Sequence, residues 1–176
     1  MLSIHELRAL SGSLSEGAFV RQLGPFALIQ QPPQAGDLDL SQNRTAVAPP
    51  RDTSMAMAAL LFGFDDLQVC TLPPLAGVDA LTVGRLPDCD LVLDDGTVSK
   101  RHATITWSAA IRQAQLQDQG STNGTYVNGA MIFTRKVPLR DGDLLAFGDV
   151  AFWFILTPTL YTRMRQAGPK LGARSG

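Results

Sequence analysis

Three groups of polar residues in the middle of the chain have the side-chain types that bind a phosphate group. They are Gly84-Arg85, Ser99-Lys100-Arg101-His102 and Ser121-Thr122-Asn123-Gly124. A phosphomonoester carries close to two negative charges and three acceptor oxygens at neutral pH, so its receptor needs convergent hydrogen-bond donors and at least one cation. Arg85, Ser99 and Lys100 supply a guanidinium, a hydroxyl and an ammonium group. The sequence therefore indicates a phosphate-binding site.

The segments between these groups are short apolar runs separated by turn residues. The runs cover residues 80–83, 91–93, 102–107, 113–117, 125–127, 144–147 and 150–156. Runs of this length and spacing are typical of a β-sandwich. In one of them Ala103, Ile105 and Trp107 alternate with threonines, as in a strand with one buried face. We predict an all-β antiparallel sandwich of about 10–11 strands that holds the polar groups on its loops.

Turn signals connect these strands. Asn128-Gly129 favours a type I′ hairpin that reverses residues 126–127 into a strand at 131–133. Asp141-Gly142 and Gly148-Asp149 mark two further turns. Upstream, residues 55–64 and 67–72 form apolar runs that we interpret as the opening pair of strands.

Helix signals occur at both ends of the chain. Ser3 lies three residues before Glu6, the spacing of a capping box, and a second helix is expected from Ser15 through Leu23, closed by Gly24. Near the other end Thr157 and Pro158 have the types expected at an N-cap and a first helical position. Short helices are therefore expected in an N-terminal extension and after the last strand.

These patterns divide the chain into five segments. Residues 32–54 are rich in proline, glycine and polar residues, as expected of a linker. We predict a partly helical extension over 1–31, the linker over 32–54, the sandwich over 55–157, a short helix over 158–168 and a disordered tail over 169–176.

Composition limits the classes of function. The 176 residues are 45% hydrophobic, enough for a real core, and the net charge of −1 provides no overall field that would attract nucleic acid or a membrane surface. No apolar run approaches the roughly 20 residues that span a bilayer, so we expect a cytoplasmic protein. The chain has only two cysteines and two histidines, without metal-ligand spacing. We therefore expect no metal, no cofactor and no enzyme activity.

The three polar groups, in this order and spacing, resemble the forkhead-associated (FHA) domain, a family of phosphothreonine-peptide binding modules. The resemblance covers residues 81–156. It implies that Arg85 and Ser99 contact the phosphate and that His102 braces the binding loop. Lys100 occupies a position next to the phosphate where the family often has arginine or asparagine, so a charge is kept but the bidentate fork is lost.

The resemblance also implies roles for the third group. Thr122 corresponds to a loop residue near the phosphothreonine, and Asn123 corresponds to the residue that hydrogen-bonds the peptide backbone. Gly84, Gly124 and Asn128 are expected to support the site by shaping its turns. Family members prefer phosphothreonine to phosphoserine because a small pocket takes the γ-methyl group.

These observations leave three classes of function. The first is a bacterial adaptor in Ser/Thr kinase signalling that docks onto a phosphothreonine-containing protein, either the kinase or its substrate. The second is a self-inhibited switch in which a linker threonine, Thr45 or Thr53, is phosphorylated and occupies the chain's own site. The third is a phosphate-independent scaffold that uses the sandwich surface or the apolar face of the N-terminal helices.

Overall fold

The computed structural model describes residues 2–31, 68–71 and 80–166. Within those ranges the chain forms three helices: α1 Ile4–Ser13, α2 Glu16–Leu23 and α3 Thr157–Gln166. It also forms twelve strands: β1 Leu2–Ser3, β2 Phe26–Gln30, β3 Gln68–Thr71, β4 Ala80–Gly84, β5 Leu91–Val92, β6 Ala103–Ser108, β7 Gln113–Asp118, β8 Thr125–Val127, β9 Ala130–Met131, β10 Val137–Pro138, β11 Leu144–Phe147 and β12 Val150–Leu156.

The strands form two sheets. One sheet has seven strands in the order β1-β3-β2-β12-β11-β8-β9, and the other has five in the order β10-β7-β6-β4-β5. Neighbouring strands are antiparallel except β4 and β5, which are parallel. The all-β sandwich predicted from the sequence is confirmed.

The inward faces of the two sheets form the main hydrophobic core. The seven-stranded sheet contributes Phe147, Phe152 and Phe154, and the five-stranded sheet contributes Leu81, Ile105 and Leu116. These side chains are at most 2% exposed. The alternation in β6 places Ala103 and Ile105 in this core, as predicted. This rigid core fixes the strand ends from which the loops emerge.

The three helices cover the outer face of the seven-stranded sheet and form a second core. Its buried members are Ile4, Leu7, Phe19, Leu23, Ala27, Ile29, Val69, Trp153, Ile155, Leu160, Tyr161 and Met164. The ring centroids of Phe19 in α2 and Tyr161 in α3 are 5.3 Å apart. We call α1, α2 and α3 the helical layer. Leu7, Phe19 and Leu23 are buried within it, so these three side chains offer no exposed face to a scaffold partner.

The helix boundaries agree with their sequence signals. Ser3 accepts a hydrogen bond from the backbone N–H of Glu6, whose side chain accepts one from the backbone N–H of Ser3, which completes the capping box. Ser15 caps α2 and Gly24, at φ 84°, ends it. Helix α3 begins at Thr157, whose hydroxyl donates to the carbonyl oxygen of Gly24 at 2.7 Å.

Strand β2 is the main element that the sequence analysis missed. It lies between β3 and β12, in the interior of the seven-stranded sheet. Phe26 and Leu28 face the main core, whereas Ala27 and Ile29 face the helical layer. Because both faces are buried, residues 26–29 of the strand form a continuous apolar run of four residues without the alternation that marks a half-buried strand. The short strands β1 and β10 were also missed.

The strand predicted at residues 131–133 extends too far in the prediction. Strand β9 stops at Met131, and Phe133 adopts φ 50° in a turn.

The interpretations that concern residues 32–67 and 169–176, including the linker, the strand at 55–64 and the tail, lie outside the described residues, and the domain boundaries stay a prediction. No helix in the described part of the chain is long and apolar enough to cross a membrane.

Candidate functional site

The three polar groups lie on loops at one end of the sandwich. Strand β4 ends at Gly84 and its antiparallel partner β6 begins at Ala103, so the loops that follow and precede these residues meet. Strand β7, antiparallel to β6, ends at Asp118 beside them. The backbone N–H of Arg85 donates to the carbonyl oxygen of Ser99 at 3.0 Å. We call these three loops, residues 85–90, 94–102 and 119–124, the loop end.

Ser99 joins the second loop to the third. The backbone N–H of Thr122 donates to Ser99 Oγ at 3.0 Å. The Ser99 hydroxyl has Thr122 Oγ1 as its neighbour at 3.5 Å, a long contact that is weak as a hydrogen bond. The Ser99 proton can therefore turn toward a stronger acceptor without breaking the backbone contact.

His102 fixes the conformation of these loops from the buried side, through hydrogen bonds of its imidazole ring. Its side chain is fully buried. The backbone N–H of Ser99 donates to Nδ1 at 3.0 Å, so Nδ1 carries no proton, and Nε2–H donates to the carbonyl oxygen of Gly124 at 3.1 Å. Burial lowers the pKa of His102, although the Gly124 carbonyl and Asp118 act in the opposite direction. The imidazole is thus a neutral brace.

Two cationic side chains of the loop end are available to a ligand. Arg85 and Lys100 are exposed, and neither has an ion-pair partner among the residues that the structure describes. By contrast, the adjacent Arg101 is paired with Asp88, with Nη2 and Oδ2 2.6 Å apart. Of these three cations, only Arg101 has its charge neutralised by an ion pair with a residue that the structure describes.

Asn123 lies on the exposed edge of the third loop and ties it to the second. Its Nδ2 donates to the carbonyl oxygen of Thr97 at 2.8 Å. The Thr97 hydroxyl donates to Asp95 Oδ1 at 2.5 Å and accepts from the backbone N–H of Asp149 at 3.0 Å. Thr97 and Asp95 were missed by the sequence analysis, although an aspartate two residues before a threonine is the pattern of an Asx turn.

Asp118 organises the third loop and was also missed. Its carboxylate accepts from the backbone N–H groups of Gly120 and Ser121, and from the hydroxyls of Ser121 and Thr125. Burial opposes ionisation, but the hydrogen bonds from Ser121 and Thr125 outweigh it, so the pKa of Asp118 is lowered. The signal in the sequence is an aspartate followed at two and three residues by Gly120 and Ser121.

Three glycines allow the loops to approach one another. A Cβ on Gly84 would overlap the carbonyl oxygen of Lys100, and one on Gly148 would lie 2.6 Å from the carbonyl oxygen of Thr97. Gly124 adopts φ 85°, and a Cβ there would lie 2.8 Å from Met131 Cε. At Gly84 and Gly148 the backbone contact leaves no room for a side chain, whereas at Gly124 the positive φ is the constraint.

Asn128 is not brought to the loop end. It adopts φ 51° in the β8–β9 turn, which lies at the opposite end of the sandwich. Its Nδ2 donates to Asp143 Oδ1 at 2.8 Å, and its Oδ1 accepts from the backbone N–H of Leu144 at 2.9 Å. Asn128 therefore shapes a distant turn.

Within the described ranges, no three His, Cys, Asp or Glu side chains form a group that could hold a metal ion.

A family model matches the segment that carries the loop end, and curated relatives match a segment of similar length. The FHA domain family model matches residues 81–148. The glycogen accumulation regulator GarA of Mycolicibacterium smegmatis is 39% identical over 77 residues, 44% of this chain and 46% of that protein. The oxoglutarate dehydrogenase inhibitor of Corynebacterium efficiens is 38% identical over 77 residues, 44% of this chain and 51% of that protein. The chain spans about half the length of these two relatives.

Two solved structures are each similar to about half of this chain. One, from a structural and functional analysis of phosphothreonine-dependent FHA domain interactions, is 32% identical, covers 50% of this chain and 83% of that chain, and has a TM-score of 0.44. The FHA domain of the CT664 protein from Chlamydia trachomatis is 29% identical and has a TM-score of 0.42. The match covers 46% of this chain and 80% of that chain.

Proposed function

Because residues 81–148 place this chain in the forkhead-associated family, we propose that it is a phosphothreonine-dependent protein-binding module. The observation that carries the proposal is the arrangement of the loop end. Arg85, Ser99 and Lys100 project from loops that are joined by backbone hydrogen bonds and braced by the buried His102. A preorganised set of donors of this kind suits a phosphate group.

We assign each side chain a role from its chemistry and its position. Arg85 and Lys100 supply the positive charge, and the Ser99 hydroxyl donates a hydrogen bond to a phosphate oxygen. Thr122 lines the site through its exposed side chain. Because Nδ2 of Asn123 is held by Thr97, Oδ1 of Asn123 is oriented and accepts from a backbone N–H of the bound peptide.

The proposed ligand is a threonine phosphorylated by a Ser/Thr kinase, on the kinase itself or on its substrate. A pocket for the γ-methyl group would favour phosphothreonine over phosphoserine by about 0.8 kcal/mol, roughly fourfold in affinity. Two of the relatives are named a regulator and an inhibitor, which supports a role in control by docking and no enzyme activity of the chain itself.

The test is binding of a phosphothreonine peptide library to wild type, Arg85→Ala and Arg112→Ala, at two salt concentrations. Each charge-assisted hydrogen bond contributes about 1.5–3 kcal/mol, so Arg85→Ala should weaken capture about tenfold or more. Arg112 lies in the turn between β6 and β7, at the opposite end of the sandwich, and its removal controls for the change in net charge. Capture that is absent in wild type, or equal in all three proteins, would refute the proposal.

A second candidate function is a switch in which the chain binds its own phosphorylated threonine. Strand β2 ends at Gln30, and the backbone N–H of Gln31 donates to the carbonyl oxygen of Ala151 near the start of β12, close to the Gly148–Asp149 turn that contacts the loop end. Strand β3 begins at Gln68, at the same end of its sheet. The sequence between these points contains Thr45 and Thr53.

Because β2 and β3 are neighbouring strands, both ends of this segment leave the sheet near one another, and covalent attachment would raise the local concentration of such a threonine to about the millimolar range. Phosphorylation of the chain should then weaken its binding to an added phosphopeptide. Replacing both threonines by alanine should restore that binding in kinase-treated protein. Unchanged affinity after phosphorylation, verified by intact mass, would exclude the switch and leave the adaptor proposal standing.

A further inference from the structure

Phe133 combines two features that are unfavourable for a large apolar side chain. It is 67% exposed, and its φ of 50° lies in the left-handed region. An exposed hydrophobic residue alone is ordinary, but a bulky residue at positive φ is an outlier that asparagine or glycine would relieve. Such strain persists where the surrounding structure imposes it, and it is concentrated at binding sites.

The segment around Phe133 is anchored on both sides. Ile132 is buried in the main core, and its backbone N–H donates to the carbonyl oxygen of Thr125 at 3.0 Å. The carbonyl oxygen of Thr134 accepts from Gln117 Nε2 at 3.0 Å. These contacts hold the loop in place on both sides of the exposed phenyl ring.

The strand register places Phe133 at the loop end. Met131 pairs with Tyr126, and the Tyr126 hydroxyl donates to the carbonyl oxygen of Asn123 at 3.2 Å. Met131 also packs against Gly124, where an added Cβ would meet its Cε. An apolar path therefore leads from Asn123 over Tyr126 and Met131 to the loop that carries Phe133.

Two cations follow on the same loop. Arg135 and Lys136 are exposed, and neither forms an ion pair with any residue that the structure describes. Residues 131–137 contain these two cations and no acidic residue, so the positive charge is concentrated on this loop, whereas the loop end itself also carries Asp88, Asp90, Asp94 and Asp95. A ligand that crosses this surface is favoured when it carries acidic residues.

We propose that Met131, Phe133, Arg135 and Lys136, the extension patch, bind a segment of the phosphoprotein that flanks the phosphothreonine and contains an apolar residue next to acidic ones. The inference rests on the proposed function, because the phosphate anchors the segment at the loop end. The extension patch adds apolar area and charge complementarity beyond the phosphate, and so sets which phosphothreonines are bound.

The test uses a library in which a central phosphothreonine is flanked by six degenerate positions on each side. Wild type should enrich apolar residues together with Asp or Glu at positions outside the two that adjoin the phosphothreonine. Phe133→Asn should abolish the apolar enrichment and weaken the best selected peptide about tenfold. The same variant should bind a short peptide, with two residues on each side, as wild type does.

Phe133→Asn also separates binding from folding. Asparagine tolerates positive φ, so the melting temperature should stay equal or rise while the affinity for the long peptide falls. The control is Ile111→Asn, which removes a residue of similar exposure, 64%, from the β6–β7 turn at the opposite end of the sandwich. It should change neither affinity nor selection.

The outcomes distinguish the two proposals. If wild type captures no phosphopeptide, the proposed function fails and the extension patch fails with it. If wild type captures phosphopeptides, but without apolar enrichment or with equal affinity in Phe133→Asn, only the extension patch is refuted. If Phe133→Asn instead converts a dimer to a monomer in sedimentation and leaves peptide selection unchanged, the patch contacts a second copy and the proposal is also refuted.

Discussion

The loop end and the helical layer are held together by different forces. At the loop end, Asp118, Thr97 and His102 join three loops through hydrogen bonds to backbone groups. In the helical layer, apolar side chains such as Phe19 and Leu160 pack onto the outer face of the seven-stranded sheet. Directional contacts set positions to a fraction of an ångström, whereas apolar burial contributes stability in proportion to area. The first region is thus suited to recognition and the second to stability.

This difference predicts that the two regions respond differently to substitution. A change in the helical layer should alter the free energy of unfolding and leave the affinity of the folded protein intact. A change in the hydrogen-bonded loops should alter both quantities, because the same contacts that stabilise the loops also position the groups proposed to bind the ligand.

Phe19→Ala should have the largest effect. Phe19 of α2 is fully buried in the second core, and truncation of a buried phenylalanine costs about 3–5 kcal/mol. Denaturant unfolding measures this loss, and phosphopeptide titration at a temperature where the variant is folded should give the wild-type affinity. A parallel loss of affinity would show that the helical layer also shapes the loop end.

Asp118→Ala should reduce stability by about 2–3 kcal/mol, because buried partners lose their acceptor. It should also weaken phosphopeptide binding, since the third loop carries Thr122 and Asn123. The matched control is Asp143→Ala, which removes a buried carboxylate that accepts from Arg140 and Asn128 at the opposite end. That control should lose stability without losing affinity, and equal affinity loss in both would contradict the assignment.

Gly148→Ala and Gly129→Ala form a second matched pair with a smaller effect. Both glycines have positive φ, 60° and 81°, so the backbone conformation alone costs each substitution about 1–2 kcal/mol. Only at Gly148 does the added methyl meet Thr97, whose carbonyl holds Asn123. Titration should show a severalfold loss of affinity for Gly148→Ala alone. Equal affinities would mean that Thr97 does not position the binding residues.

The smallest expected effect is a pH dependence that belongs to the loop end. The pKa of His102 lies below its ordinary value of 6.5 in the folded state, so the unfolded chain binds more protons as the pH falls below about 6.5. Unfolding free energy should decrease from there down to the folded pKa, by less than about 1.4 kcal/mol per pH unit. His102→Gln should lack this slope between pH 7 and 5, and a retained slope would assign it to another group.

The sequence predicted the sandwich and the candidate residues of the loop end from local signals, and the sandwich is confirmed. Arg85, Ser99, His102 and Asn123 are recognisable because polar residues at fixed spacing interrupt apolar strands. The capping signals of Ser3 and Ser15 likewise depend on neighbours three residues away. Each of these signals is local, so it survives without knowledge of the fold.

Features that depend on distant partners were not predictable in the same way. Strand β2 has both faces buried, one by the sandwich core and one by the helical layer, so its apolar run resembles a buried helix segment as much as a strand. The role of Asp118 depends on the folded loop, because its carboxylate accepts hydrogen bonds from Gly120, Ser121 and Thr125 only when the loop surrounds it. Asn128 was correctly assigned to a turn, but its distance from the loop end follows only from the strand register.

The position of β2 has a consequence for how the chain folds during synthesis. Gln30 pairs with Phe152, which follows it by 122 residues. At a translation rate of about 5–20 residues per second, β2 waits roughly 6–24 s for β12 to be synthesised. During this interval the apolar faces of β2 and of the first two helices lack their sheet. The nascent chain therefore exposes apolar surface for many seconds. The yield of folded protein in the cell should depend on chaperones that bind this surface.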